Sequence, residues 1–348
     1  MLNLKYVIFE KSLNSIGETA VYMAKDGDDT AIILTGENTA GFKAFDIGDG
    51  KFRAELVHEN AVVLRKHFPW TIPGKGLQKF KSIGIGDRQG LSVTANIDLI
   101  KKSEVFPMFA QASCGEFLDD ALDAATFTVF REGFKKGFGA DAEHVKTKEE
   151  IERALSLKYS MITLDCSGYI NNKKEGSAQV SQNYIDKYLK EEFDIEGIPL
   201  IFTEEELSAC VSLYTDAISF ASGIYESFFK SGKHDVDLEI SLDKSETVTT
   251  PLRHYFFARE ILDAGILFSA VSPRFNGAFH EGSGTEAQFE KDLEVHAAIA
   301  RSLGYKLSFR MAPDKINVLP IIERAARGNY HIKTTTSNWP EVFNTLKK

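Results

Sequence analysis

From about residue 80 to the end, short apolar runs alternate with longer amphipathic stretches. The runs are KSIGIGD (81–87), FPMFAQA (106–112), EHVK (143–146), SMITLD (160–165), VDLEIS (236–241), LFSAVS (267–272), KLSFR (306–310) and YHIKT (330–334). Each is the length of a strand, and each is followed by sequence with helical spacing. Several helices carry start signals. Thr147 and Glu150 make a capping box, in which hydroxyl and carboxylate satisfy free amides reciprocally, and Thr203 with Glu206 and Thr285 with Gln288 repeat the spacing. Thr250-Pro251 and the run from Asn338 to Glu341, with Pro340 inside the first turn, open two more helices. Strands alternating with helices pair in parallel through crossovers, and eight such units predict closure into a (β/α)8 barrel. An open doubly wound sheet is the alternative, but no G-x-G-x-x-G follows the first strand. In GIGDRQG (84–90) the third glycine is displaced by one.

Residues 1–65 have a different texture. KYVIFEKS, TAVYMAK, TAIILTG and KFRAELV are β-prone and are punctuated by Asp26-Gly27 and Asp49-Gly50, which suit hairpin turns. The expected organisation is therefore a small antiparallel β extension over 1–65, packed on a barrel that spans 66–348. An insertion at about 167–203, polar and then helical, follows the fourth strand on the side where active-site loops lie, as a lid or an oligomer contact would.

Composition narrows the function classes. The net charge is −9 and basic residues occur at most as scattered pairs, which argues against nucleic acid or anionic lipid as a partner. No run of about 18 apolar residues predicts a membrane span, and the N-terminus does not read as a signal peptide. Cys114, Cys166 and Cys210 are odd in number and far apart, as expected of reduced thiols in a cytoplasmic protein.

In a barrel of this class the site is built from strand ends and the loops beyond them. Those positions hold Asp87 and Arg88, Gln111, Glu143, His144 and Lys146, and Asp165. They continue with Glu239, Ser241 and Asp243, then Arg274, His280 and Glu281, then Arg310, Asp314 and Lys315, and finally His331 and Lys333. Any one of these has a bland explanation as a cap, a surface ion pair or a packed histidine. Packing alone does not call for all of them at one mouth, so a polar small-molecule site is expected. Arg88, Lys146, Arg274, Arg310 and Lys333, with Asp87, form the expected substrate-binding set. A positive local field and an anionic ligand, carboxylate or phosphate, follow from it. His144 and His280 with nearby carboxylates suit a divalent metal.

GIGDRQGL, GFGADAEHVKT, VDLEIS, SPRFNGAF, KLSFRMAPDKINVLPII and YHIKTTTSNW, in this order, resemble the tagaturonate epimerase family over nearly the whole chain. The resemblance implies an isomerase that interconverts the keto-uronic acids tagaturonate and fructuronate with a divalent metal cation. The catalytic acid/base pair would fall on Glu143, where an aspartate is expected, and on Glu239. The first metal ligand would be His144, and a second lies near His280 or Glu281. One departure stands out. Where the family pattern L-S-I-H-S-G-S-D-K has a metal-binding histidine, this chain reads Leu307-Ser-Phe-Arg310-Met-Ala-Pro-Asp314-Lys315. A protonated arginine has no lone pair for a metal, so either the metal is held differently or the charge replaces it. The ketone is at C2 and the inverted centre is C4, which is not α to it, so retro-aldol cleavage of C3–C4 and re-closure is the expected route, metal-assisted or with Arg310 and Lys146 as the electrophile. A sugar-acid isomerase or aldolase on the same barrel, a non-catalytic uronate-binding homologue and an interaction protein with a relict pocket stay open, as does assembly into a homo-oligomer.

Overall fold

The structure is a computed structural model, which describes residues 6–79, 81–87, 90–113, 117–172, 179–275, 286–335 and 342. Eight parallel strands close into a barrel. Around it they run Met161–Asp165, Asp237–Ser241, Ala270–Ser272, Lys306–Met311, Tyr330–Thr334, Lys81–Gly84, Phe106–Ser113 and Gly139–Val145. All eight correspond to the runs expected from sequence, and the first seven lead through crossovers to the next strand. Three have edges shifted by three residues or more, and the first in sequence ends at Gly84 rather than at Asp87. The third in sequence begins at Gly139 rather than at Glu143, because Gly139–Ala142 is buried on both faces and so shows no alternation. The sixth shrinks to Ala270–Ser272, leaving Leu267 exposed.

The helix starts follow their chemistry. Thr147 forms the reciprocal capping box with Glu150, and Thr203 and Thr250 each accept a hydrogen bond from the amide three residues on. Thr285 and 338–341 lie outside the described residues. The helix Glu204–Phe228 is long and apolar enough, by length and composition, to cross a membrane, which corrects the reading that no such stretch exists. Its packing accounts for the composition. Leu207, Cys210, Tyr214, Ala217, Ala221 and Ile224 recur at helical spacing, and all are buried in the barrel's core.

Ahead of the barrel lies an antiparallel sheet of six strands, including the two expected hairpins. Asn14–Ile16 and Ala44–Gly48 are strands that the sequence did not announce, since neither has an apolar face long enough to show alternation. The sheet shares its core with the helix Leu118–Arg131, where Phe127 and Phe130 pack among Val21, Ile32, Leu34 and Phe68. Arg65 donates from Nη1 to Asp123 Oδ1 at 2.9 Å and to Thr126 Oγ1 at 2.7 Å on the same helix.

The segment 167–203 is described over 167–172 and 179–203. Its described part holds the helix Gln182–Tyr188 and a hairpin, Phe193–Ile195 with Ile198–Leu200. Tyr188 is buried against Phe202 and Phe256, and its hydroxyl donates to Glu260 at 2.6 Å, which ties this part to the outer helix Pro251–Asp263.

A plug closes the amino-terminal end of the barrel. Asp237 Oδ2 accepts the amides of Gly76 and Leu77, each at 2.8 Å. Leu77 then packs on Met108, Met161 and Ala270. A Cβ on Gly76 would fall 2.0 Å from the Phe106 ring, so the plug needs glycine there. With this end sealed, polar side chains inside the barrel can meet a ligand only at the carboxyl end of the strands.

Candidate active site

Strand periodicity puts residues two apart on one face, and here it aims a set of ionisable groups into the barrel. Lys333 is the hub. Its strand stands opposite that of Thr163, and its amine spans the interior to Thr163 Oγ1 (2.6 Å), Asp141 Oδ2 (2.9 Å) and Glu239 Oε1 (2.9 Å), with Glu143 Oε1 at 3.8 Å. Thr163 in turn donates to Asp141 Oδ1 at 2.8 Å. Burial alone would depress the lysine, but the three carboxylates outweigh it and hold the amine above its ordinary range.

The carboxylates separate in their proton affinity. Burial, reinforced by Asp141, pushes the Glu239 carboxyl up to about 7 in spite of Lys333. Burial raises Asp141 as well. In Glu143 the same desolvation is overcome by Lys333 and Arg310, so it stays below the usual glutamate range. One barrel thus holds a glutamate that keeps a proton near neutral pH and another that has given it up, the division that acid and base roles need.

At the mouth the backbone does something that spacing could not foretell. Glu143 and His144 are neighbours in one strand and would ordinarily point to opposite faces. His144 has φ +52°, and the pairing with Met161–Asp165 shifts register there, so that two residues face one, as in a β-bulge. Both side chains consequently reach Arg310. Arg310 Nη2 donates to Glu143 Oε1 at 3.0 Å and lies against His144 Nε2, while Nε donates to Asp243 Oδ2 at 3.3 Å. Asp243 is fixed by Ser241, whose hydroxyl donates to Oδ1 at 2.5 Å. On its other side, His144 Nδ1 is 3.4 Å from Asp165 Oδ2, which also has Lys146 Nζ at 3.6 Å. Burial works against the Asp165 charge, but His144 and the Ser167 amide, at 2.9 Å, hold its carboxyl well below the usual range.

Glu143, Glu239, His144, Lys146, Arg310 and Lys333 are therefore brought together. Asp87 is not. Its Oδ2 accepts the Val93 amide at 2.8 Å in the first turn of the helix Leu91–Lys102, a cap rather than a ligand contact. Arg274 reaches back to the Asp243 carbonyl, with Nη1 at 3.3 Å. His331 is buried lower in the barrel on Ser82 Oγ, at 2.9 Å, and burial depresses it far below the ordinary histidine range. Arg88, His280 and Glu281, and the Asp314 side chain, lie outside the described residues.

The expected positive field is also corrected. Arg310 and Lys333 are met by four carboxylates, Asp141, Glu143, Glu239 and Asp243, so the centre holds no excess of positive charge, and Lys146, with its amine 3.6 Å from the buried Asp165 carboxylate, sits at the rim. Sequence reading missed Asp141, Thr163 and Lys244. Asp141 had a visible signal, two residues before Glu143 and hence on the same strand face. Lys244 had none. It is an exposed residue next to Asp243, and partial burial of its amine, with Arg310 and Lys146 nearby, lowers it.

Gln111 depends on a glycine across the strand pair. A Cβ on Gly84 would fall 2.0 Å from Gln111 Oε1, so the amide can lie inside the barrel only because position 84 has no side chain. That accounts for the first glycine of GIGDRQG without a nucleotide.

Among the described residues no group of three or more His, Cys, Asp or Glu side chains is disposed to hold a divalent metal. The nitrogen of His144 that faces the mouth meets the Arg310 guanidinium instead. The described set does not fit a metal, and no step below is routed through one.

A closed (β/α)8 barrel with buried, oppositely tuned carboxylates at its carboxyl end defines an enzyme of the barrel class. Comparison with known proteins narrows this. The tagaturonate epimerase family profile matches residues 9–348. A tagaturonate/fructuronate epimerase of Thermotoga maritima is 34% identical over 98% of this chain and 76% of its own length. The native and the one-glycerol crystal structures of fructuronate-tagaturonate epimerase from Cohnella laeviribosi superpose with a TM-score of 0.89 at 33% identity, over 97% of this chain and 74% of theirs. The chain belongs to the tagaturonate epimerase family and is an isomerase by class, spanning about three-quarters of the length of these relatives.

Proposed function

We propose that the barrel mouth epimerises a keto-uronic acid of the tagaturonate/fructuronate type at C4, by retro-aldol cleavage and re-closure. The observation that carries this reading is the split between Glu143, held ionised, and Glu239, pushed up to about 7, on either side of Lys333. Glu143 takes the proton of the C4 hydroxyl. The C3–C4 bond then breaks, its electron pair passing into an enolate on the C2 oxygen while C4 becomes an aldehyde. After rotation C3 attacks the other aldehyde face, and the new C4 alkoxide recovers the proton. Glu239, joined to Glu143 through Lys333, serves as the proton reserve. The substrate's carboxylate is taken by the rim cations Lys146 and Lys244.

Purified enzyme with tagaturonate, followed by NMR in D2O, tests the reading. Product should appear with the C4 hydrogen retained, since that hydrogen never leaves carbon. Glu143→Gln should lose about 100-fold or more in rate. Full turnover by both Glu143→Gln and Glu239→Gln, or solvent deuterium at C4, would refute it. Another sugar-acid product would favour an isomerase or aldolase on the same barrel, and saturable binding without product a non-catalytic homologue.

A further inference from the structure

We infer that Arg310 is the fixed cation of this centre, its guanidinium filling the place from which His144 would donate to a metal ion. The inference deepens the epimerase reading and rests on it for the identity of the ligand alone. Arg310 Nη2 meets Glu143 Oε1 and His144 Nε2 together, and Nε is engaged by Asp243. A guanidinium is donor-only and stays protonated, so His144 Nε2 is the acceptor of that contact and its lone pair is committed. The other ring nitrogen, Nδ1, faces Asp165 Oδ2 at 3.4 Å. A dication at Nε2 would therefore collide with a like charge already in place.

The bulge at Glu143–His144 is what makes this arrangement. In a regular strand only one of the two residues could reach the arginine. The backbone is bent to seat a guanidinium between glutamate and imidazole, with Asp243 as a third support. The Arg310 side chain is 39% exposed, against 3% for Lys333, so of the two central cations it is the one a ligand can touch. In the proposed reaction it donates to the C2 oxygen as negative charge gathers there. It needs no metal for that, because a preorganised donor next to a developing oxyanion stabilises it directly.

The test uses the full chain, stripped with a chelator, dialysed and titrated with CoCl2, and read by visible d–d absorption and calorimetry. Wild type should show no saturable one-to-one site. Arg310→His should gain one Co2+ per chain, bound at least about tenfold more tightly than by wild type, and should lose it again when His144→Ala is added. One Co2+ per wild-type chain, abolished by His144→Ala, would overturn the inference. So would an Arg310→His variant that keeps the wild-type circular dichroism and gains no site. If that variant does not fold, the wild-type titration alone decides. Turnover of tagaturonate by the stripped wild type is read separately. No product and no Co2+ site would retire the epimerase reading and leave Arg310 assigned, whereas product together with a His144-dependent Co2+ site would do the reverse.

Discussion

Replacing Lys333 with Met keeps the length of the side chain and removes its charge from between Asp141 and Glu239. Each carboxylate lies 2.9 Å from the amine. At an effective dielectric of about 20, each contact is worth roughly 5–6 kcal/mol before desolvation. Burying three charges offsets most of that sum, so the intact cluster contributes little net stability. Breaking it is another matter, because two buried carboxylates are left without a counter-charge, at a cost of about 3–5 kcal/mol. With an unfolding entropy of about 2.1 cal/mol/K per residue over 348 residues, Tm should fall by about 4–7 °C. The cost carries a pH signature. Without Lys333 the folded-state pKa values of Asp141 and Glu239 rise further, and the folded protein holds protons that the unfolded chain releases above about pH 4. Stability of the variant therefore falls as pH rises through that window, and the gap to wild type widens where the wild-type carboxyls give up protons that the variant keeps, for Glu239 from about pH 7 upward. Urea unfolding followed by circular dichroism should give a gap of about 3–5 kcal/mol at pH 8, shrinking to about 1.5 kcal/mol or less at pH 4.5. Adding Glu239→Gln to Lys333→Met should restore more than about 1 kcal/mol at pH 8. A gap below about 1 kcal/mol at pH 8, or one that ignores pH, would refute the picture of Lys333 as the counter-charge of the barrel.

Two further outcomes can be checked on the same instrument. Gly84→Ala drives a methyl group into Gln111 and should cost about 1–3 kcal/mol, most of it recovered in the double variant with Gln111→Ala; a single variant as stable as wild type would show that Gln111 does not need that space. His254 and His296 form a fully buried pair, Nδ1 to Nδ1 at 2.9 Å, with Tyr305 on the far nitrogen of His254 at 2.7 Å. Burial pushes His296 down to about 3 and His254 well below its usual range, so the folded state binds fewer protons than the unfolded chain between about pH 3 and 6.5. Stability is then lost as pH falls through that window, by up to about 1.4 kcal/mol per pH unit for each histidine, and His296→Leu should flatten the slope by about that amount.

Much of the molecule was legible from the chain. All eight barrel strands, three of the capping threonines and the parallel topology follow from local rules, because strand and helix periods and cap chemistry act over a few residues. Six site residues, Glu143, His144, Lys146, Glu239, Arg310 and Lys333, were reachable through the rule that strand ends converge. Asp87 satisfied the same rule and yet caps a helix, since a carboxylate beside a helix start has a nearer partner in the Val93 amide.

Sequence by itself determined which runs become strands and that polar residues gather at their ends, since strand length and helix period are local properties. It also determined that an arginine, with no lone pair to give, stands where a metal ligand was expected. Only the tertiary structure decided which charges meet. Lys333 finds Asp141, Thr163 and Glu239 across a barrel diameter, and no spacing in the chain encodes that distance. The bulge at His144 lets two adjacent residues share one guanidinium, against the alternation that placed everything else. Proton affinities followed from the same cause, because desolvation and neighbouring charge are properties of the closed barrel and of no segment of it.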